Sequence, residues 1–478
     1  MDILLSLSKF KKWVVQMVEK FDLVVIGSGS GLDVANEAAR NGLKVAIIES
    51  GPVGGTCLNR GCIPSKMLLH VADLVETVRS SHKFSVNADN ISVNFPKIVK
   101  EVSDFVDDES SGIEKYLSSA KNPTLFRGIA EFTGHKELRV GNTLIRGRKI
   151  LIAAGARPKI PEFPGLIEVG YLTSTEALRL SSLPESLIII GGGYIAVELA
   201  HFFGSLGSKV YIIQRSDRLL TREDEEISRS FTKEFAKKHR VLLSSEPEMI
   251  TKKEGVYHVK VKSSIEENSI TVRAKKLLIA VGVTPNTDTL KLERIGVKLD
   301  ESGFIIVDEY LETNVKGIFS LGDVIGKYML KHSANMEAQY SYYNIIDSGN
   351  KIPVNYNAIP HAVFTSPQIA GVGLSEQEAK AMELDFVVGK YRYIDTGMGM
   401  ALKDESGFVK ILVEKASHKI LGCYIIGTDA STLLHEVVVA MNVGHGNLEN
   451  ITGTVHVHPA LSEVVLRAAL SAREELQH

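Results

Sequence analysis

The sequence predicts an α/β protein that contains two Rossmann-like folds. Two observations predict it: a short apolar stretch runs into a glycine-rich turn at Gly27, and the same arrangement returns at Gly191. In both places a second apolar stretch follows, which gives the strand, turn, helix and strand of a βαβ unit. The 478 residues are enough for about two to four domains. One glycine-rich turn arises readily by chance, whereas two with correct flanking strands rarely do.

The first unit has the features of a dinucleotide site. Residues 21–26 are an apolar strand that runs into GSGSGLD, and the next apolar strand ends at Glu49, 22 residues after Gly27. Gly27 and Gly29 let the backbone approach a pyrophosphate at the helix N-terminus, while Glu49 accepts hydrogen bonds from ribose hydroxyls. Because Leu32 occupies the third glycine position, we expect slightly wider packing of this helix.

The second unit repeats the pattern in another part of the chain. Residues 187–190 form a predicted strand before GGGYIAVELA, in which Gly191, Gly193 and Ala196 occupy the motif positions. The following strand, residues 209–213, completes the βαβ unit. Two units imply two bound dinucleotides, one in each domain.

The end of the second unit indicates which nicotinamide cofactor binds. NAD sites usually have an acidic residue there, whereas NADP sites have an arginine for the 2′-phosphate. This chain has Gln214 at the acidic position, Arg215 beside it, and Arg222 seven residues later. An arginine pairs with a phosphate through two hydrogen bonds. We therefore favour NADP(H) over NAD(H), with solvated surface arginines as the alternative.

Three further segments bear on the domain organisation. Residues 150–161, with Gly155, and residues 277–287 each form a strand that ends in glycine and a proline-containing turn. Such segments suit the crossings between two nucleotide domains. In SLGDV, Asp323 follows the predicted strand 318–321 and either holds a polyol or caps a helix.

Cys57 and Cys62 are separated by four residues in the run GGTCLNRGCIPSK. Pro64 suits the first turn of a helix, and a thiol at a helix N-terminus has a lowered pKa. A zinc site usually needs four ligands, and stable disulfides are rare inside cells. The spacing leaves two interpretations, a redox-active pair and two ordinary thiols.

Composition excludes several classes of protein. With a net charge of −2, the chain has no strongly basic surface, so we expect no nucleic-acid partner. No run approaches the ~20 apolar residues of a membrane helix. Three cysteines without a secretory signal predict a cytoplasmic protein. Residues 1–20 are predicted to be an N-terminal extension, with a basic amphipathic surface helix as the alternative, and Met17 is a second candidate start.

The combined motifs resemble the FAD-dependent pyridine nucleotide–disulfide oxidoreductases from about Phe21 to the C-terminus. They are GGTCLNRGCIPSK, both glycine-rich turns, SLGDV, VFTSPQIAGVGLSE and HVHPALSE. The resemblance implies an FAD-binding and central domain, an NAD(P)-binding domain, and an α+β interface domain that forms a homodimer. The expected bounds are 21–156 with 281–352 for the first, 157–280 for the second and 353–478 for the third.

The resemblance also implies roles for individual residues. Cys57 would exchange with the substrate disulfide, and Cys62 would lie next to the flavin. Lys66 would sit beside the flavin and pair with Glu198, while Tyr194 would cover the nicotinamide pocket. The remaining implied cofactor-binding residues are Gly27, Gly29, Ser30, Glu49, Gly55, Thr56, Gly155 and Asp323 for FAD, and Gly191, Gly193, Arg215 and Arg222 for NAD(P)H. No metal site is expected.

His458 and Glu463 are the expected acid–base pair. An imidazole titrates near neutral pH, so it can hold the proton that a thiol loses and return it, and Glu463 would orient the ring. In the family this histidine reaches the cysteines of the other subunit, which implies an active site shared across the homodimer. The threonine usual after His-Pro is Ala460 here, which leaves the substrate preference open.

Within the family the chain most resembles the dihydrolipoamide dehydrogenases, through CIPSK and the interface sequence. The alternatives are an NADPH-dependent reductase of a low-molecular-weight disulfide, of glutathione or mycothione type, and a mercuric-reductase-like enzyme. The last cysteine is Cys423, so the C-terminal pair of mercuric reductases is absent. The first helix offers Glu37 and Arg40 rather than a well-placed arginine for glutathione. A non-catalytic flavoprotein scaffold is disfavoured because Cys57, His458 and Asp323 are all present.

Overall fold

The computed structural model describes residues 18–88, 90–265, 269–347 and 349–478. The strands are β1 (Val18–Ile26), β2 (Val45–Glu49), β3 (Thr124–Arg127), β4 (Ala130–Gly134), β5 (Glu137–Val140), β6 (Thr143–Ile152), β7 (Ala156–Pro158), β8 (Ser186–Ile190), β9 (Lys209–Ile213), β10 (Arg240–Leu242), β11 (Ser245–Lys253), β12 (Val256–Ser263), β13 (Ile270–Ala274), β14 (Lys276–Ile279), β15 (Val283–Pro285), β16 (Ile318–Ser320), β17 (His361–Val363), β18 (Gln368–Gly373), β19 (Phe386–Arg392), β20 (Phe408–Glu414) and β21 (Ile420–Gly427). The helices are α1 (Gly31–Arg40), α2 (Gly55–Arg60), α3 (Cys62–Ser80), α4 (Phe95–Ser119), α5 (Leu166–Val169), α6 (Ser174–Ala177), α7 (Tyr194–Ser205), α8 (Glu225–Phe235), α9 (Lys331–Ile346), α10 (Glu376–Ala381), α11 (Gly397–Leu402), α12 (Ala430–Asn442), α13 (Glu449–Thr452) and α14 (Ser462–Glu475).

The chain divides into two compact units. The first consists of residues 18–55, Ser111–Ala156 and Pro285–Val354, and the second of Thr56–Ser110, Arg157–Thr284 and Asn355–His478. The predicted bounds of the FAD, NAD(P) and interface domains stay predictions. The predicted α/β class is confirmed.

The first unit contains a sheet in the order β3-β2-β1-β6-β5-β4, with β16 also pairing β6. Strands β3, β2, β1, β6 and β16 are parallel, whereas β4 and β5 are antiparallel. The register of β1 and β2 runs from Leu23↔Val45 to Ile26↔Ile48. Continuous burial of these apolar strands is expected for a parallel sheet that is covered on both faces.

The second unit contains a parallel sheet in the order β10-β9-β8-β14. This order matches β3-β2-β1-β6 of the first unit, so the predicted repeat of the βαβ fold is present in the structure. An antiparallel sheet, β11-β12-β13, lies between β10 and β14 in sequence.

The C-terminal part of the second unit is α+β. Its antiparallel sheet has the order β17-β18-β21-β20-β19. Apolar residues of β20 and β21 form one buried cluster with residues of α12 and α14. This segment matches the predicted α+β character of residues 353–478.

The first glycine of each βαβ unit is required by the protein's own backbone. Gly27 has a φ of +100°, and a Cβ there would lie 2.2 Å from the carbonyl oxygen of Ala153. Gly191 has a φ of +120°, and a Cβ there would lie 2.1 Å from the carbonyl oxygen of Ala280. Both positions therefore need glycine for conformation as well as for space.

Gly31 makes the close helix–strand approach in the first unit. A Cβ on Gly31 would lie 2.9 Å from both the Ala153 Cβ and the Val25 Cγ1. The expectation of wider packing at Leu32 overlooked this glycine, which precedes the third motif position and performs the packing role.

The predicted N-terminal extension falls mostly outside the described residues. Its last three residues, 18–20, belong to β1, where Val18 pairs with Leu144 of β6. The sheet thus begins before the expected domain start at Phe21. Along the described part of the chain, no helix combines the length and apolar character needed to cross a membrane.

Lys410 carries a buried charge in the second unit. Its side chain is 1% exposed, and its Nζ lies 2.9 Å and 3.0 Å from the two carboxylate oxygens of Asp224 and 2.6 Å from Glu376. Asp224 also accepts hydrogen bonds from the first turn of α8. Burial lowers the pKa of Lys410, but its hydrogen bonds with Glu376 and Asp224 hold that pKa above its usual value.

Replacing Lys410 by methionine is expected to lower the free energy of unfolding by about 3 kcal/mol. The change leaves the buried Asp224 carboxylate without its cation, although the α8 backbone still donates to it. Urea unfolding followed by circular dichroism measures the loss. The matched control is Lys415→Met, because the Lys415–Asp385 pair is exposed and such pairs contribute about 0–1 kcal/mol. Equal destabilisation by both variants would contradict the prediction.

Candidate disulfide and nucleotide sites

Cys57 and Cys62 lie in the first turns of two consecutive helices. Cys57 is the third residue of α2, and Cys62 is the first residue of α3. Gly61 separates the helices, and a Cβ there would lie 2.9 Å from the carbonyl oxygen of Thr56. Pro64 falls in the first turn of α3, as predicted, and both thiols are half-buried. Thiols at helix N-termini favour the thiolate.

Lys66 forms an ion pair with Glu198 in the second unit. Its Nζ lies 2.9 Å and 2.8 Å from the two carboxylate oxygens of Glu198, which is 8% exposed. The backbone N–H of Phe364 also donates to Glu198, at 3.1 Å, and the Phe364 ring lies under the ammonium, 4.7 Å from Nζ to the ring centroid. The Lys66 ammonium is therefore held between the Glu198 carboxylate and the Phe364 ring.

Tyr194 is fixed by contacts that the sequence did not reveal. Its hydroxyl donates to the buried carboxylate of Glu223 at 2.5 Å, and His361 Nε2 lies 2.8 Å from the other oxygen of that carboxylate. The Tyr194 and His361 rings are nearly parallel, with centroids 6.4 Å apart. Burial, followed by the Glu223 charge, raises the pKa of Tyr194, so the phenol stays protonated and donates.

Glu49 is held against the first glycine-rich turn. Its Oε2 accepts from the backbone N–H and the hydroxyl of Ser28, at 2.9 Å and 2.7 Å, and its Oε1 accepts from the Gly51 N–H at 2.7 Å. The Ser28 hydroxyl in turn accepts from the Gly54 N–H. An ionised carboxylate offers about four acceptor sites, so one remains for a ribose hydroxyl.

The second glycine of each unit is not required by the protein itself. A Cβ on Gly29 would approach no heavy atom more closely than 4.0 Å, and a Cβ on Gly193 would meet none within that distance. Neither has a positive φ. Space that the protein leaves open here suits a pyrophosphate that approaches the backbone. The residues present therefore fit two dinucleotides.

Two further predicted FAD residues of the first unit, Gly55 and Gly155, have a positive φ. Gly55 has a φ of +67°, and a Cβ there would lie 2.7 Å from the Cα of Gly29. Gly155 has a φ of +68°, and its carbonyl accepts from the Asn286 N–H at 3.0 Å. Both glycines thus shape the backbone, and Gly55 does so next to the glycine-rich turn.

The Asp323 carboxylate is placed to accept hydrogen bonds from a ligand. Burial raises its pKa, and the charge of Lys331 opposes that rise. Within the described residues no side chain or backbone N–H donates to this carboxylate. This carboxylate is half-buried, so a ligand that donates hydrogen bonds to it would satisfy its acceptor oxygens, and a polyol hydroxyl is such a donor.

The residue that directly follows β9 is Gln214 rather than an acidic residue, and Arg215 comes next. Gln214 is buried, and its Nε2 donates to the Arg218 carbonyl at 3.2 Å. Arg215 and Arg222 are exposed, and neither guanidinium forms an ion pair or hydrogen bond with the residues that the structure describes. These two arginines are available to an anionic ligand.

His458 is oriented by Glu463. Its Nδ1 lies 2.9 Å from Glu463 Oε1, while Oε2 accepts from the Ala460 N–H at 3.2 Å. The hydrogen bond from His458 lowers the pKa of Glu463. Because an ionised carboxylate only accepts, Nδ1 carries the proton and Nε2 is the basic atom of the neutral ring. His456 differs, because both its ring nitrogens are bonded, to Glu436 and to the backbone.

Within the described residues, no hydrogen bond or ion pair joins His458 to Cys57 or Cys62. The His458 side chain is 76% exposed, and among the described residues it bonds to Glu463 alone. The His458 nitrogen that can act as a base, Nε2, is therefore left without a bonding partner among the described residues.

Thr56, another predicted cofactor residue, is exposed near the start of α2.

Several residues that shape these sites were missed by sequence reasoning. They are Ser28, Gly31, Glu223, Lys331, His361 and Phe364. Ser28 and Gly31 lie inside the first glycine-rich motif, so a closer reading of GSGSG would have found them. The others make contacts with residues far away in sequence, for which the sequence offers no local signal.

Comparisons with known proteins identify the family. Residues 21–338 match the family described as pyridine nucleotide-disulphide oxidoreductase, and residues 359–469 match its dimerisation domain. The chain is 36% identical to a mycothione reductase of Mycobacterium tuberculosis (strain ATCC 25618 / H37Rv) over 471 residues, which cover 95% of this chain and 100% of that protein. It is also 36% identical to a dihydrolipoyl dehydrogenase of Chlamydia pneumoniae over 468 residues, covering 97% of this chain and 99% of that protein.

A solved structure of a flavoprotein disulfide reductase has a similar fold. The Cu(II) complex of the HOCl-induced flavoprotein disulfide reductase RclA from Escherichia coli superimposes with a TM-score of 0.84 and 28% identity. The match covers 95% of this chain and 100% of that one. This chain belongs to the pyridine nucleotide-disulphide oxidoreductase family and is a flavoprotein that uses FAD.

Proposed function

We propose that this protein moves electrons between NADP(H) and a small dithiol or disulfide through FAD and the Cys57–Cys62 pair. The observation that carries the proposal is the placement of both thiols in the first turns of consecutive helices. There the helix dipoles favour thiolates, which are the species that attack disulfides. The cytoplasmic location predicted from cysteine usage belongs to the same proposal.

The cysteines carry out the exchange with the substrate. When bound, FAD relays an electron pair between the nicotinamide and the cysteine pair. The Cys57 thiolate attacks one sulfur of the substrate disulfide, which forms a mixed disulfide and releases the first substrate thiolate. The Cys62 thiolate then attacks the Cys57 Sγ, which closes the Cys57–Cys62 disulfide and releases the second. The substrate gains the two electrons that the cysteines lose.

His458 balances the protons of this exchange. Its Nε2 takes the proton that each cysteine thiol loses and gives it to the departing substrate thiolate. Glu463 holds the ring through Nδ1 and stabilises the imidazolium in between. The exposure of His458 supports a homodimer in which the partner subunit provides the cysteines.

Lipoamide is the first candidate substrate. CIPSK and the interface sequence support it, as does the relative named dihydrolipoyl dehydrogenase. A low-molecular-weight disulfide of the mycothione type is the second candidate. The unpaired Arg215 and Arg222 favour it, because NADPH suits the reductive direction, and a relative named mycothione reductase agrees.

A substrate panel tests the proposal. Lipoamide, mycothione disulfide, glutathione disulfide, coenzyme A disulfide and Hg²⁺ are each assayed with NADPH and with NADH, in both directions where a dithiol is available. We expect one small disulfide to give the highest kcat/KM. Turnover of none of the disulfides, or of Hg²⁺ alone, would contradict the proposal.

Arg215→Glu is expected to reverse the cofactor preference. The guanidinium would pair with the 2′-phosphate, and a charged hydrogen bond contributes about 1.5–3 kcal/mol. We expect kcat/KM for NADPH to fall by about tenfold or more and that for NADH to change little. Arg273→Glu is the matched control, because Arg273 is an exposed arginine on β13. Equal use of both cofactors by the unmodified enzyme would contradict the assignment.

A further inference from the structure

Lys331 directs its ammonium at the N-terminus of α1. Its Nζ donates to the Ser30 hydroxyl at 2.9 Å, and that hydroxyl donates in turn to Asn335 Oδ1 at 3.0 Å. Ser30 immediately precedes α1 but makes no side-chain capping hydrogen bond to it. The hydroxyl that would ordinarily satisfy the helix start is thus committed to a lysine on another helix.

The position of Lys331 is electrostatically unfavourable for the protein alone. It is the first residue of α9, a helix of sixteen residues with no acidic residue in its first turn. A cation at a helix N-terminus is repelled by the positive end of the helix dipole. Among the described residues, no carboxylate lies within ion-pair distance of Lys331. Departures of this kind from local preference are expected at functional sites.

The charges around Lys331 are those of an anion-binding site. The hydrogen bond from Lys331 to Ser30 brings together the ammonium, the start of α9 and the start of α1, and each of the three contributes positive charge. Burial raises the pKa of Asp323, and the Lys331 charge opposes that rise, although the two side chains do not form an ion pair. Gly29, next to Ser30, leaves open the space that a Cβ would otherwise fill.

We propose that Lys331 binds the FAD pyrophosphate, as a positive charge added to the glycine-rich turn and the α1 N-terminus. The lysine would donate to a phosphate oxygen, and Ser30 and Asn335 would hold it in position. The pyrophosphate supplies the negative charge that the two helix starts and the ammonium lack. The proposal rests on FAD as the cofactor, which the family supplies, and is independent of the disulfide substrate.

The test measures FAD affinity by equilibrium dilution of the holoenzyme, with free flavin followed by its fluorescence. For Lys331→Gln we expect the FAD Kd to rise about tenfold, which corresponds to about 1.4 kcal/mol. Lys331→Arg keeps the charge, so its Kd should stay within about threefold of the unmodified enzyme. Raising the salt from about 0.05 M to about 1 M should reduce the difference in FAD Kd between Lys331→Gln and the unmodified enzyme, because salt screens the lysine charge.

Lys316→Gln is the matched control, because Lys316 is an exposed lysine of the same unit. Its FAD Kd should equal that of the unmodified enzyme. A Lys331→Gln protein with unchanged FAD Kd would overturn the proposal, and so would a raised Kd that Lys331→Arg fails to restore. A lowered melting temperature with unchanged Kd would assign Lys331 a structural role only.

The measurement separates this proposal from the proposed function. Neither NADPH nor a disulfide takes part in the dilution assay, so a failed substrate panel leaves its outcome unaffected. Conversely, an unchanged FAD Kd would remove Lys331 from the cofactor site without bearing on Cys57, Cys62 or His458.

Discussion

Cys57→Ser is expected to abolish disulfide turnover while NADPH still reduces the bound flavin. A serine hydroxyl is not ionised at neutral pH and cannot exchange with a disulfide, so we expect kcat to fall by about 10⁴-fold or more. Stopped-flow spectroscopy at the flavin absorbance band should show reduction by NADPH within about threefold of the unmodified rate, because Cys57 acts after that step.

Cys423→Ala is the matched control for this experiment. Cys423 is fully buried in β21, and burial raises the pKa of its thiol, which makes it inert towards disulfides. Its removal should leave turnover within about twofold of the unmodified enzyme. Disulfide turnover that survives Cys57→Ser would remove Cys57 from the exchange. Loss of flavin reduction would show that the residue acts earlier in the cycle.

The parts of this protein that the sequence predicted well are governed by local rules. The βαβ units at Gly27 and Gly191 follow from apolar strands, glycine turns and helical spacing within short stretches of chain. Their first glycines are fixed by contacts with the next parallel strand, which is why the motif recurs with the same geometry. The position of Cys62 at a helix start followed from Pro64 in the same way.

The contacts that orient the site residues could not be predicted from the sequence, because they join residues that lie far apart along the chain. Tyr194 is held by Glu223 and His361, which lie 29 and 167 residues later in the chain. Nothing in the spacing of these residues indicates that a carboxylate of one segment receives hydrogen bonds from the other two. Resemblance supplied the Lys66–Glu198 pair, but not the Phe364 ring beneath the ammonium. Long-range pairs of this kind depend on the complete fold.

His458 should act on the cysteines of the other subunit, and hybrid dimers test this directly. His458→Gln removes the acid–base group, so its homodimer should lose about 10²–10⁴-fold in turnover, and the Cys57→Ser homodimer should be inactive. A hybrid of the two variants, isolated with a different affinity tag on each chain, contains one site with both intact groups if the sites are shared. It should therefore show about half of the activity of the unmodified dimer.

The hybrid distinguishes a histidine that acts on the partner subunit's cysteines from one that acts on the cysteines of its own chain. If each chain used its own histidine, every site in the hybrid would lack either Cys57 or His458, and no activity would return. A hybrid of two differently tagged Cys57→Ser chains controls for subunit exchange and tagging, and should stay inactive under both arrangements. Among the described residues, the exposed His458 ring bonds only to Glu463. That bond uses Nδ1, so the basic Nε2 remains available to the thiols. Turnover at about half the unmodified level would place His458 Nε2 beside the thiols of the partner subunit. A hybrid without turnover would show that the acid–base group acts on the cysteines of its own chain.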